Sequence, residues 1–436
     1  MTTALAEQPL AASREVPAAA APEGKLLRSG KVHVKKISTW HDLEALRPAW
    51  NDVLSNSAHP TIFSTPEWLG AWWKAFAHGG ELCALAFMNS GNEMIGLAPL
   101  YLEKFEGPFS LPLRCLRFAG DGSEDSDNLN LVVRRGHEDA CARSMLNWLA
   151  ADSSWDVCEL NTLPVHSSSL DPLTVGLHER GWTFRRLERP NLSIALPDTW
   201  EKYLDHIPKK EKTKIKSRTR KLEKHFQMDF HECNDAAGLS KNLDILFDLH
   251  QKRWKLRGTP GTFSSPCRRE FYRYMAAAFL EKGWLGFRIL KLNGKPVAAQ
   301  FGFRYGHTYY GLQEGFDPEL SDLNVGYVLR AYMMKSLIES GVRKYDFLAG
   351  EDPYKKRWGA VSGNYVDLHF ARPFARGAFH LHISRTRSAV RNWLRATLPT
   401  PTIDRLRRAY RAVSSGPAAS DAPAFHGARA FLAPAE

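Results

Sequence analysis

Apolar and polar positions fall into two periods along this chain, and the order of those periods occurs twice. Residues 31–37 alternate as a strand does, and Leu43, Leu46, Trp50 and Leu54 then recur at helical spacing. Phe63-Ser64-Thr65-Pro66 leads into a Trp-rich helical stretch over 67–76. Gly80 follows, then an alternating run to Met88, a turn at Asn89-Ser90-Gly91-Asn92, and a second run over 95–100. The same signals return from Phe263-Ser264-Ser265-Pro266: a helical stretch over 270–279, Gly283, an alternating run to Leu292, the turn Asn293-Gly294, and a run over 296–301. Gly80 and Gly91 are 11 residues apart, as are Gly283 and Gly294. Downstream, Ser126-Asp127, a helical run and Trp155-Asp156 correspond to Ser321-Asp322, a helical run and Tyr345-Asp346. A period of roughly 200 residues marks a duplicated domain, since solenoid units repeat every 20–50.

The pattern between and after these signals predicts a strand over 113–118, a polar acidic loop over 119–130, a helix over 138–149 and a strand over 155–160. A helix over 170–181 and a strand through Phe184 close the first copy. In the second copy it predicts helices over 243–254 and 267–281, strands over 284–304 and 308–313, and a helix started by Ser321 and stopped by Gly341. Strands over 344–348 and 366–371 complete it. Helices, hairpins, a helix and a strand in that order indicate an α+β fold, each copy a mixed, mostly antiparallel sheet flanked by helices. The expected organisation is a disordered tail over 1–30, a first domain over 31–197, a basic helical connector over 198–225, a second domain over 226–372, and an Arg-rich segment over 373–436.

At 436 residues and 44% hydrophobic, the chain can bury two ordinary cores, and no run is long enough for a membrane span. The Ala- and Pro-rich start lacks a secretory signal. The six cysteines make no C-x-x-C pair, which fits packing in a cytoplasmic protein and offers no metal motif. Net charge is +12, yet residues 208–224 alone hold +7 and residues 371–413 hold +9. The body is therefore mildly acidic and carries two basic stretches. These can meet nucleic acid, an anionic substrate or the anionic inner face of a membrane, or they are solvated helix faces. The first lacks interleaved aromatics, which argues against single-strand stacking, and nucleic acid is not the expected partner. No P-loop and no strand-linked G-x-G-x-x-G is present.

Candidate chemistry concentrates in the second copy. Asp346 lies within an apolar strand, so it needs a partner or serves as a base. Glu351 follows a Gly turn, and Tyr354, Lys355 and Trp358 share a helical turn, with an exposed Lys355 able to stabilise an oxyanion. The corresponding stretch of the first copy lacks the Glu, Tyr and Lys. The alternative is a strand end followed by a surface turn. Ser321, Asn324, Val325 and Gly326 open a helix whose N-terminus can bind an anion, or Ser321 is a plain N-cap. His250, Arg253 and Trp254 group on one helix, where they bind substrate or form a buried face. Gln300, Tyr310 and Gln313 are polar groups on apolar strands that can line a cleft. Asp121, Ser123, Asp125, Ser126 and Asp127 share one loop without EF-hand spacing, so no metal is expected.

The Trp-rich openings, the paired hairpins, Leu249-His250-Gln251-Lys252-Arg253-Trp254, and Asp346-Phe347-Leu348 with Gly350-Glu351, Tyr354-Lys355 and Trp358-Gly359 resemble the CelD/BcsL-type branch of the GNAT acyltransferases. That branch is related to the FemAB peptidoglycan aminoacyltransferases. The resemblance covers residues 31–371. It implies two tandem GNAT-like domains and transfer of an acyl group from acetyl-CoA or another acyl-CoA. The acceptor it implies is a small molecule or glycan precursor, in exopolysaccharide or envelope synthesis. The usual Gln/Arg-x-x-Gly-x-Gly/Ala pyrophosphate motif is replaced by Asn324-Val325-Gly326. Two other readings stand beside it: an aminoacyl-tRNA-dependent transferase, and a non-catalytic partner of a polysaccharide synthase.

Overall fold

The computed structural model describes residues 32–397 apart from 78, 124 and 257, without the side chains of 387–397. The expected tail over 1–30, and the part of the expected Arg-rich segment beyond 397, lie outside the described residues.

The first half opens with β1 (His33–Ile37), α1 (Trp40–Ala45), α2 (Arg47–Ser55) and α3 (Pro66–Phe76). The expected single helix over 42–54 is two. Pro48 stands in the first turn of α2, a position where its missing N–H costs nothing. Strands β2 (Glu81–Leu82), β3 (Ala84–Met88), β4 (Met94–Ala98), β5 (Leu100–Glu106), β6 (Pro112–Phe118) and β7 (Val132–Val133) follow. Then come α4 (Glu138–Ala151), β8 (Val157–Pro164), α5 (Leu170–Glu179) and β9 (Thr183–Ala195). Pro208 divides the basic connector into α6 (Trp200–His206) and α7 (Lys209–His225).

The second half repeats the plan. It runs through β10 (Met228–Glu232), α8 (Ala236–Leu256), α9 (Pro266–Glu281), β11 (Leu285–Leu292), β12 (Lys295–Tyr305) and β13 (Thr308–Phe316). It ends with α10 (Val325–Glu339), β14 (Lys344–Ala349), the short α11 (Pro353–Arg357), β15 (Val361–Ala371) and α12 (Arg376–Thr397). Gly91 and Gly294 both sit at the tip of the first hairpin, between β3 and β4 and between β11 and β12. Phe63 and Phe263 both lie in a short 3-10 turn before a helix, and Thr65 and Ser265 cap those helices by accepting the N–H of Trp68 and Arg268.

The halves are not beads on a string. One sheet of 11 strands runs β10-β11-β12-β13-β14-β9-β15-β8-β6-β5-β2 through both, beside a four-stranded sheet β1-β3-β4-β7. Each half has one parallel pair, β6 with β8 and β13 with β14. The final strand of each half then crosses over: β9 pairs with β14, and β15 pairs with β8. β9 and β15 pair with each other from Val361 opposite Ser193 to Ala371 opposite Thr183. This use explains why β9 extends well past the expected Phe184. Neither half can complete its sheet alone.

The duplicated helices also meet. α3 packs on α9, with Trp68 edge-on to Phe271 at 5.2 Å and Phe63 edge-on to Phe303 at 5.8 Å. Trp68 is fully buried, and its indole N–H donates to Ser126 at 2.9 Å. The first turns of α12 likewise belong to the fold, not to a separate segment. Ala378 and Leu381 are buried with Cys115, Val157 and Ala371.

Candidate active site

β13 and β14 pair only from Thr308 opposite Lys344 to Tyr310 opposite Asp346, and then part. A cleft of about 700 Å³ opens in this wedge. α8, α10 and α11 wall it, and the acidic loop of the first half reaches its floor. The parting has a local cause. Leu348 is held at φ +62, and β14 slips register between Asp346 and Ala349. A left-handed leucine costs about 1–2 kcal/mol. The buried Asp346 carboxylate offsets this by accepting the Leu348 N–H at 2.9 Å, and it also pairs with Lys344 at 2.9 Å.

Beyond the bulge, Lys355 turns inward. Its ammonium donates to the carbonyls of Ala349 at 2.7 Å and Gly350 at 3.1 Å, and lies 3.6 Å from Asp352. Only 4% of it is exposed, which corrects the expectation of an exposed lysine, and burial lowers its pKa. It clamps the turn from β14 into α11.

Opposite stands Asp127, from the first half. Its carboxylate accepts the Ala349 N–H at 2.8 Å. Burial pushes its pKa up to about 7, with nearby Asp346 adding to the rise and the Ala349 N–H and Lys355 opposing it. Asp125, two residues earlier, accepts the Tyr272 O–H at 2.9 Å and pairs with Arg268 at 3.2 Å. These contacts with α9 fix the loop.

His250 reaches the cleft because Gly315 lets α8 approach β13. A Cβ at Gly315 would stand 2.6 Å from the His250 backbone nitrogen. Burial, reinforced by the Arg253 guanidinium, pushes the His250 imidazole down to about 4, so it is neutral near pH 7. On the far wall, Arg330 forms a two-pronged bond to Glu314 and lies over the rings of Tyr354 at 4.7 Å and Trp358 at 5.4 Å. At the rim, the Tyr327 hydroxyl donates to Glu211 of α7 at 2.7 Å, and the Lys214 ammonium sits 4.4 Å from the Tyr327 ring.

The cleft brings together His250, Arg253, Trp254, Gln313, Ser321, Asn324, Val325, Gly326, Tyr354, Lys355 and Trp358. Ser321 is not the helix cap. It lies in a 3-10 turn over Pro318–Leu323, and Asn324, at φ +56, precedes the first residue of α10. Four expected residues do not line the cleft. Asp346 is buried beneath it, and Glu351 is half exposed, 3.9 Å from Lys356. Gln300 is buried and donates to the Tyr345 hydroxyl, and Tyr310 packs against Phe63. Among residues not expected there, Asp125, Asp127, Lys214, Glu314, Tyr327, Arg330 and Arg357 line it.

The equivalent wedge of the first half is spanned by hydrogen bonds. Thr162 mirrors Leu348 at φ +57, and its N–H is held by Asp367 at 2.9 Å. There Asn161 donates to Asp121 at 2.7 Å, bridging the ends of the parting strands. Among the described residues, no group of three or more His, Cys, Asp or Glu could hold a metal ion, and no helix is long and apolar enough to cross a membrane.

Residues 209–356 match the model of the acetyltransferase (GNAT) domain. The match runs from α7 into α11 and makes this stretch a GNAT-type acyltransferase domain; it does not reach Asp125 or Asp127. No curated protein matches the chain. The crystal structure of FemX is similar with a TM-score of 0.51 at 12% identity, over 76% of this chain and 96% of that one. The likeness is one of fold. The C-terminal domain (DUF2156) of a putative lysylphosphatidylglycerol synthetase from Agrobacterium fabrum gives 0.47 at 8% identity, over 78% and 95%. A tandem GNAT protein from the clavulanic acid biosynthesis pathway gives 0.42 at 11% identity, over 78% and 98%.

Proposed function

We propose that the chain moves an acyl group from a CoA thioester to an amine or hydroxyl in the cleft of the second half. The observation that carries this reading is Asp127: a buried carboxylate on the cleft floor that is half ionised near neutral pH. A general base works best when its pKa lies near the working pH. Asp127 takes the proton of the acceptor as its N or O attacks the thioester carbonyl. The C–S bond breaks as the C–N or C–O bond is made, and the thiolate leaves to take a proton from solvent. N–H groups along β13 past Tyr310, where β14 no longer pairs, can meet the developing oxyanion. Lys355 and Asp346 act as positioning residues, one clamping the turn and one holding the bulge. The N-terminus of α10, with Lys214 beside it, suits the phosphates of the donor. The acetyl group is the simplest acyl cargo. A glycan-precursor acceptor, the CelD/BcsL type, envelope or exopolysaccharide synthesis and a cytoplasmic location are the finer parts of this proposal.

Release of free thiol from acetyl-CoA, screened against amines and hydroxylated sugars, tests it. A second reading, an aminoacyl-tRNA donor, draws on α7, whose basic residues run away from the cleft rim at Lys214. No thiol release, together with salt-sensitive tRNA binding, would favour that donor.

A further inference from the structure

Among the described residues three phenylalanines are exposed: Phe109 at 82%, Phe374 at 105% and Phe379 at 50%. All three belong to one edge of the first half. Phe109 stands at the tip of the β5–β6 hairpin, at φ +57. Phe374 and Phe379 flank the start of α12. The hairpin and the helix are joined there: the Phe105 and His380 rings are 5.3 Å apart, and a groove of about 510 Å³ runs between Phe105, Pro112, Leu113 and Arg376. Large rings left in water mark a surface that a partner covers.

The groove beside these rings is bordered by Lys104, Arg114 and Arg376 and by Glu106 and Asp156, and Arg385 is exposed on the helix. Over its 22 residues α12 carries five arginines and neither Asp nor Glu. The helix is also rigidly presented. Gly377 lies so close to Asp156 that a Cβ would meet its carbonyl oxygen at 1.8 Å, Arg376 pairs with Asp156 at 3.2 Å, and Arg372 donates to the carbonyls of Asp152 and Trp155. Aromatic side chains beside arginines, on a helix seated against the body, have the chemistry of an interfacial anchor.

We propose that this edge docks on an anionic lipid bilayer, with Phe109, Phe374 and Phe379 entering the headgroup–acyl boundary and Arg385 facing the headgroups. The proposal is independent of the chemistry in the cleft. Charge selects this occupant: an apolar protein partner would be met by arginines with no compensating acid on the helix, whereas an anionic bilayer satisfies both parts of the surface.

The test is co-sedimentation of the full chain with vesicles of phosphatidylcholine containing phosphatidylglycerol, and with phosphatidylcholine alone. The anionic vesicles should bind the chain, the neutral ones should not, and added salt should weaken binding. The double variant Phe374→Ser, Phe379→Ser should bind at least about tenfold more weakly, and Arg385→Glu should weaken binding severalfold. All three substitutions are at exposed positions, so unchanged melting curves should accompany the losses. No binding of the wild-type chain to anionic vesicles would overturn the proposal. So would undiminished binding by the double variant. A concentration-dependent dimer that the double variant dissolves, without vesicle binding, would assign the edge to a second copy of the chain and overturn it as well.

Discussion

The Ala349 N–H, at the end of β14 in the second half, donates to the carboxylate of Asp127, on a loop of the first half, at 2.8 Å. This bond joins the two copies at the floor of the cleft. It parallels the exchange of final strands, in which β9 completes the second half and β15 the first. The wedge of the second half opens as a cleft, and a loop of the first half supplies its carboxylates.

Lys355→Ala should lower both stability and turnover. It strips a donor from the carbonyls of Ala349 and Gly350, a loss of about 1–3 kcal/mol. Lys355 also lowers the pKa of Asp127, so its removal should move the acid limb of the pH–rate profile to higher pH. A thermal melt and a pH profile of the same variant check the two halves of this expectation.

Asp346→Asn should shift that limb the other way. Asp346 raises the pKa of Asp127, and neutralising it removes the repulsion between like charges. The variant should change little in stability, because Lys344 is part-exposed and asparagine can still accept the Leu348 N–H. Glu351→Gln is the control. Its 3.9 Å contact with Lys356 is solvent-exposed, so both melt and turnover should stay near wild type.

Gly315→Ala should disturb the cleft without removing any polar side chain. The added methyl meets the backbone of His250 at 2.6 Å and must push α8 off β13. Such overpacking costs about 1–3 kcal/mol. A lowered melting temperature with a raised KM is the expected result, read from thermal melts and steady-state kinetics.

Much of this was legible in the sequence, for physical reasons. The two hairpins and the helices after Phe63 and Phe263 are local features that periodicity reports, whereas Trp155-Asp156 precede β8 and are not the counterparts of Tyr345-Asp346 within β14. His250, Arg253, Tyr354 and Lys355 fell together because each pair shares a helix turn. The strand exchange was not legible, since nothing local in β9 or β15 says which neighbour it will take. Asp125 and Asp127 were hidden for the same reason: a loop with many acids reads as solvated until Tyr272, Arg268 and Ala349, far away in the chain, are seen to receive it. Glu351 misled because a carboxylate after a Gly turn has the composition of a site but here faces solvent.

Asp127→Asn, followed as thiol release from acetyl-CoA across pH, tests the composite site most directly. Asp127 is a base only when ionised, so wild-type turnover should climb with pH through about 7 and then level. The variant should lose about 10²–10⁴ in kcat and lose that limb. Stability should move the other way. Between the unfolded value near 4 and about 7 the folded chain keeps a proton that the unfolded chain has lost, so the penalty this group sets on folding grows as pH rises from about 4 and is full above about 7. Asparagine removes the buried charge and still offers an oxygen to Ala349, so at pH 8 the variant should melt no lower than wild type. Turnover near wild type with the limb unchanged would contradict the account and place the base elsewhere.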